Sequence, residues 1–138
     1  MNLDKERITR EVLFLNNNIK KLNKLNDLSK IEFLTDFRNI DSTKYLLKSS
    51  VESMINLCNY IIIGNQWGLP ENSLNTFEII IKNSRENKIY ISNYEKLILL
   101  KDKISYGYYN INDDEIYEEL NNHSSIIEKF IFFINDFI

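Results

Sequence analysis

Residues 41–65, DSTKYLLKSSVESMINLCNYIIIGN, carry the pattern that decides the fold. Apolar residues recur along this stretch at Leu47, Val51, Met54, Cys58, Ile61 and Ile62. Intervals of mostly three and four residues place these side chains on one face of an α-helix, which must then be buried against other elements. We expect Asp41 or Ser42 to cap this long helix at its start and Gly64 to mark its end.

The same periodicity continues upstream and downstream. A first long helix is indicated by Ile8, Val12, Leu15, Ile19, Leu22 and Leu25. Ser29 and Glu32 have capping-box spacing, which predicts a short helix through Phe37. Three later helices are predicted: one from Asn72 or Ser73 through Ile81, one opened by a Ser92–Glu95 capping box and closed by a left-handed Gly107, and one from Asn112 or Asp113 to Phe137.

An all-α fold follows, an antiparallel up-and-down bundle of about five helices in a single domain over residues 1–138. The chain has only three Gly and one Pro, too few for the many turns of an all-β fold. The single Cys58 suits the core of a protein from a reducing cytosol, and neither a signal region nor a membrane-length apolar run is visible. We therefore expect a cytoplasmic protein that does not contact the membrane.

Net charge limits the binding partners. At −3 the whole chain has no general attraction for nucleic acid, so a DNA-coating role is not expected. One histidine and one cysteine cannot build a metal site, and no glycine-rich phosphate loop is present. We expect no metal and no cofactor.

The octapeptide KDKISYGY, residues 101–108, is the candidate site. It resembles the motif of the HepT branch of the HEPN family, which is Arg, Asn, three residues, His, any residue, then Tyr. Lys101 stands at the Arg position, Asp102 at the Asn position and Tyr106 at the His position, whereas Tyr108 matches. The resemblance extends along the chain through residues 4–8, 33–38, 41–47, 68–70, 77–79 and 110–120.

The resemblance implies a homodimeric helical bundle that acts as a metal-independent ribonuclease toxin on RNA. It places catalysis at Lys101, Asp102 and Tyr106, all changed from the family pattern. It also implies an antitoxin partner, an MntA-type nucleotidyltransferase that silences the toxin by adding AMP to Tyr108.

Elementary chemistry predicts that catalysis is reduced or lost. Metal-free RNA cleavage needs a base, an acid and a cation on the phosphate. Lys101 can supply the cation, but the reference pKa of a tyrosine such as Tyr106 is ~10 against ~6.5 for histidine, so it is a poor base at neutral pH. Residues seven apart return to one helix face, which aligns Lys101 with Tyr108, while Tyr106 points elsewhere if the helix stays regular.

Two other interpretations stay open. The protein is either a non-catalytic helical dimer that binds a nucleotidyltransferase as a scaffold, or a plain interaction module. In the second case Lys101 and Lys103 only complement the helix dipole, and the tyrosines close the bundle end.

The remaining candidates have simpler interpretations. His123, the only histidine, is expected at the surface. Trp67 either packs over the bundle end or marks a contact surface. Arg38 either contributes to RNA or partner binding or is a solvated loop arginine. Lys44 with Lys48 is either a shallow basic patch or a solvated helix face.

Overall fold

The computed structural model describes residues 3–85, 91–107 and 110–138, and this part of the chain contains six α-helices and no β-strand. The helices are α1 (Lys5–Asn26), α2 (Lys30–Leu34), α3 (Phe37–Asn65), α4 (Ser73–Lys82), α5 (Ile91–Tyr106) and α6 (Asp113–Asn135). The predicted all-α bundle is confirmed. The five-residue α2 is an addition to five longer helices.

Side-chain caps start several helices where the sequence predicts them. The Ser29 box is complete, since Ser29 Oγ accepts from the Glu32 amide at 3.2 Å and Glu32 accepts from the Ser29 amide at 3.1 Å. The hydrogen bond from Ser29 lowers the pKa of the Glu32 carboxyl, because it favours the charged form. Asn72 caps α4 and Asn112 caps α6, as predicted.

Two predicted starts are wrong. The long helix α3 begins at Phe37, not after Asp41 or Ser42, because Asp36 already accepts from the Arg38 amide at 2.9 Å. No helix breaker separates Asp36 from Asp41, so α3 starts at the earlier cap. The short helix α2 therefore ends at Leu34 and not at Phe37 as predicted.

Ser92 does not cap α5, because Ile91 is already helical. The Ile91 side chain is partly buried and packs against the core.

The helix ends predicted from Gly64 and Gly107 also differ in detail from the observed ones. Gly64 lies inside α3, and the left-handed residue after the helix is Gln66, with φ 57°. Gly107 does not adopt the left-handed conformation predicted for it. Its amide instead donates to the Lys103 carbonyl at 2.8 Å, and a Cβ atom at Gly107 would lie 3.2 Å from that same oxygen.

Helix α3 is the centre of the bundle and contacts all five other helices. Its predicted apolar residues are all buried, and they share one core with side chains from α1, α2, α4, α5 and α6. Within the described residues no helix has the length and apolarity needed to cross a membrane.

A polar seam interrupts this core between α1 and α3. The buried Asn18 side chain donates to Ser49 at 3.0 Å and to Ser50 at 3.1 Å. Further along the same seam Ser53 donates to the Glu11 carboxylate at 2.7 Å. Buried polar groups need such partners, so the seam fixes how α1 sits on α3.

Candidate functional site

Helix α5 positions the octapeptide by burying one stripe of its surface. The buried residues are Tyr94, Leu97, Leu100 and Ile104. The Tyr94 ring stacks on Phe77 of α4, with centroids 4.6 Å apart and planes 3° apart, and burial raises the pKa of its hydroxyl. The motif residues from 101 to 106 therefore occupy the last turns of a helix that is held firmly against α3 and α4.

Lys101 is the most buried of the candidate catalytic side chains, with 18% of its side chain exposed. Its ammonium Nζ lies 3.2 Å from Oδ1 of Asp102, whose side chain is 46% exposed. The Ser105 hydroxyl donates to the Lys101 carbonyl at 2.8 Å, which satisfies one acceptor near the helix end. The one cation that the motif offers at the family's Arg position is thus already neutralised by its neighbour.

Tyr106 has a different environment. It is 83% exposed and is the last residue of α5, so the helix stays regular from Lys101 to Tyr106. Five residues at 3.6 per turn place it about 140° from Lys101 around the helix axis. Within one chain the structure does not bring Lys101 and Tyr106 to a common face. Tyr108, the predicted modification site, lies outside the described residues.

Lys103 lies beside a groove between α5 and α6. Its ammonium binds the Glu115 carboxylate of α6. The groove has a volume of about 490 Å³ and also contacts Lys96, Leu99 and His123.

His123 is buried, with 7% of its surface exposed, so its predicted surface position is wrong. Its Nε2 lies 2.7 Å from Glu119, while its buried Nδ1 has no hydrogen-bond partner among the described residues. A sequence signal existed: His123 falls three residues after Leu120 and four before Ile127, on the apolar stripe of α6. With one nitrogen engaged and the other shielded, His123 does not replace the histidine missing from the motif.

The proposed basic residues of the α2–α3 region are not arranged as a patch. Lys44 is buried, with 7% exposed, so the predicted shallow basic patch with Lys48 is wrong. Thr43, Leu46 and Leu47 of α3 are buried too, so Lys44 belongs to a stretch of the helix that is largely covered.

Arg38 is exposed but engaged by Asp36. Its Nη2 lies 2.8 Å from Oδ2 and its Nε 3.0 Å from Oδ1 of the same carboxylate. These hydrogen bonds lower the pKa of the Asp36 carboxyl and favour the solvated-arginine interpretation of Arg38.

Two other sequence candidates are structural. Cys58 is fully buried, and burial raises the pKa of its thiol, which keeps it in the unreactive protonated form. The Trp67 ring meets Phe137 edge-on, with centroids 6.0 Å apart, so it packs over the bundle end. Within the described ranges no three His, Cys, Asp or Glu side chains are grouped to hold a metal ion.

Comparison with known proteins gives the same family as the motif. The family model described as "Ribonuclease HepT-like" matches residues 15–134. A curated relative, the mRNA nuclease HepT of Shewanella oneidensis, is 26% identical over 100 residues, which cover 72% of this chain and 75% of the relative.

Solved structures share the fold across nearly the whole chain. A toxin–antitoxin complex with AMP-PNP is 22% identical with a TM-score of 0.81, and the match covers 95% of this chain and 98% of that one. The tri-AMPylated HEPN toxin of Shewanella oneidensis, in complex with its MNT antitoxin, is 25% identical with a TM-score of 0.80, and the match covers 99% of both chains. The chain therefore belongs to the HepT-like ribonuclease family.

Proposed function

We propose that this protein is the HepT-type member of a toxin–antitoxin pair, and that its ribonuclease activity is reduced or lost. The observation that carries the proposal is the ion pair of Lys101 with Asp102, at 3.2 Å, within a motif that has no histidine. Family membership supports the toxin-type role, and the paired lysine supports the loss of catalysis.

The chemical reason lies in the three tasks of metal-free RNA cleavage. A base must take the proton of the ribose 2′-hydroxyl, that oxygen attacks phosphorus, and an acid must protonate the leaving 5′-oxygen. A phenol such as that of Tyr106 can donate a proton or a hydrogen bond, but it is a much poorer general base than the imidazole of histidine. Lys101 would have to exchange Asp102 for the phosphate, at a cost in transition-state stabilisation.

The proposed partner is an MntA-type nucleotidyltransferase, and the proposed acceptor is Tyr108. The Tyr108 oxygen attacks the α-phosphorus of ATP, an ester bond forms to AMP, and pyrophosphate leaves. The related tri-AMPylated toxin in complex with its MNT antitoxin supports the partner and the transfer of AMP, while the choice of Tyr108 rests on the motif.

A homodimer in the cytosol is proposed as the working form. Because Lys101 and Tyr106 point about 140° apart on one helix, a site using both would need groups from two copies.

Intact-mass measurement tests the partner and the modification. The purified protein is mixed with an MntA-type nucleotidyltransferase and ATP, and a mass gain of one or more AMP units is expected. Tyr108→Phe should abolish the gain, while Tyr106→Phe, which removes a neighbouring exposed hydroxyl, should not. A gain that persists in Tyr108→Phe would reject Tyr108 as the acceptor.

An RNA cleavage assay tests the loss of catalysis. The unchanged protein is compared with the double variant Lys101→Arg, Tyr106→His, which restores the family's Arg and His and keeps Asp102 in place of the family's Asn. We expect cleavage to rise by at least ~10²-fold in the double variant, the usual contribution of a positioned general base. Robust cleavage by the unchanged protein would overturn the claim that activity is reduced.

A non-catalytic scaffold is the second candidate function, favoured by the 83% exposure of Tyr106, which leaves its ring available to a partner surface. Growth of cells expressing the protein without its partner separates a toxin that retains activity from a non-catalytic scaffold. Growth arrest indicates an active toxin, whereas normal growth together with a stable complex indicates a scaffold.

A further inference from the structure

A cleft of about 450 Å³ lies between α1 and α3, away from the octapeptide. Two aromatic rings border it, Phe14 from α1 and Tyr45 from α3, and they are 37% and 59% exposed. Carboxylates from Glu11 and Glu52 complete its charged lining together with Arg10. Exposed aromatic rings beside carboxylates are the groups that proteins use to hold organic cations.

The Glu11 carboxylate is fixed in position by neutral donors. Ser53 donates to its Oε2 at 2.7 Å, and the Asn56 side chain donates to its Oε1 at 3.3 Å. An ionised carboxylate has about four acceptor positions, so each oxygen keeps capacity for one more hydrogen bond. Glu11 is therefore already oriented to receive two donors at once.

The positive charges around the cleft do not neutralise Glu11. In the described ranges no lysine or arginine lies within ion-pair distance of it. Arg10 is bound to Glu6 at 3.6 Å, and Lys48 lies 4.0 Å from Glu52. The acidic net charge of the whole chain adds to the attraction for a cation.

We propose that this cleft binds an arginine side chain presented by a partner protein. A guanidinium group offers paired N–H donors that match the two free positions of the Glu11 carboxylate, and its flat face stacks on aromatic rings such as Tyr45. A lysine ammonium lacks both the fork and the flat face. The proposal does not depend on the proposed function, because none of the lining residues comes from α5.

Peptide titration followed by NMR tests the proposal on the full chain. The probe is acetyl-Gly-Arg-Gly-amide, and the readout is the backbone amide shifts of the isotope-labelled protein. We expect saturable shifts around Phe14, Ser49 and Ser53, with a Kd on the order of a millimolar for one charge-assisted contact. Peptides with lysine, citrulline or leucine in place of arginine should bind more weakly.

Two variants and two controls locate the binding. Glu11→Gln should raise the Kd of the arginine peptide about tenfold, because it removes the charge. Tyr45→Ala should raise the Kd at least about threefold, because it removes the ring. Glu78→Gln on α4 and Phe132→Ala on α6, an exposed acid and an exposed aromatic elsewhere, should leave the affinity unchanged.

Equal binding of the citrulline or leucine peptide would overturn the proposal, as would an affinity insensitive to Tyr45→Ala. Because Tyr45 is exposed, that variant keeps the test valid even if Glu11→Gln weakens the fold.

Discussion

Replacing Asp102 by Asn should strengthen RNA binding, because it releases the Lys101 ammonium. At 3.2 Å the pair attracts by ~1.3 kcal/mol at the dielectric constant of water and by ~5 kcal/mol at an effective value of about 20. Partly exposed pairs retain only ~0–1 kcal/mol after desolvation and side-chain entropy are included. Displacing Asp102 from Lys101 therefore costs about 1 kcal/mol when a phosphate binds. Removing this cost in Asp102→Asn should lower the Kd for RNA roughly fivefold.

Fluorescence anisotropy with a labelled single-stranded RNA measures this change. The riboses carry 2′-O-methyl groups, so that no cleavage can occur, and the salt concentration is held constant because phosphate contacts depend strongly on it. Asp136→Asn is the matched control, since it makes the same change in net charge at the far end of α6, a helix of 23 residues and ~35 Å. The reasoning is refuted if Asp102→Asn leaves the affinity unchanged or lowers it, or if Asp136→Asn gives an equal gain.

Other predictions concern stability and reactivity. The buried Tyr94 hydroxyl and Cys58 thiol have pKa values raised in the folded state, so the unfolded chain loses these protons first. Stability should be fully present below pH ~8.5 and fall as pH rises further, and Tyr94→Phe should flatten this loss in urea titrations at successive pH values. Cys58 should react with a thiol reagent only after denaturant is added, as followed by absorbance; rapid labelling of the folded protein would contradict its burial. Leu57→Ala, at a fully buried position, should cost about 2–5 kcal/mol in urea denaturation, whereas Leu13→Ala, at an exposed position of α1, should cost much less. Ser29→Ala should cost about 1 kcal/mol by the same method through loss of the α2 cap, and an unchanged midpoint would show that the capping box does not support the fold.

Periodicity and side-chain caps predict most of this fold, because both act within one or two helical turns. The apolar stripe from Leu47 to Ile62 is buried as predicted, and the Ser29 box forms both of its hydrogen bonds. The errors occur where two local signals compete. Asp36 and Asp41 are both acceptable caps, and the sequence pattern does not show which one the packed helix uses.

The candidate site was less predictable because its chemistry depends on contacts between side chains. The octapeptide indicates the family and its altered residues without any coordinates. That Lys101 binds Asp102 follows from rotamers and burial at the end of α5. That His123 lies buried against Glu119 could have been inferred from its spacing, but its polar side chain favoured a surface position.

Residue identity and spacing along the chain were enough to predict the helical class, the family and the absence of a histidine from the motif. Three further properties required the folded chain: the motif lysine is neutralised, Tyr106 is largely exposed, and Ser53 orients Glu11 in a cleft bordered by two aromatic rings. The physical reason is that charge neutralisation and orientation depend on distances in space. Those distances are set by how α5 packs on α3 and α4 and how α1 packs on α3.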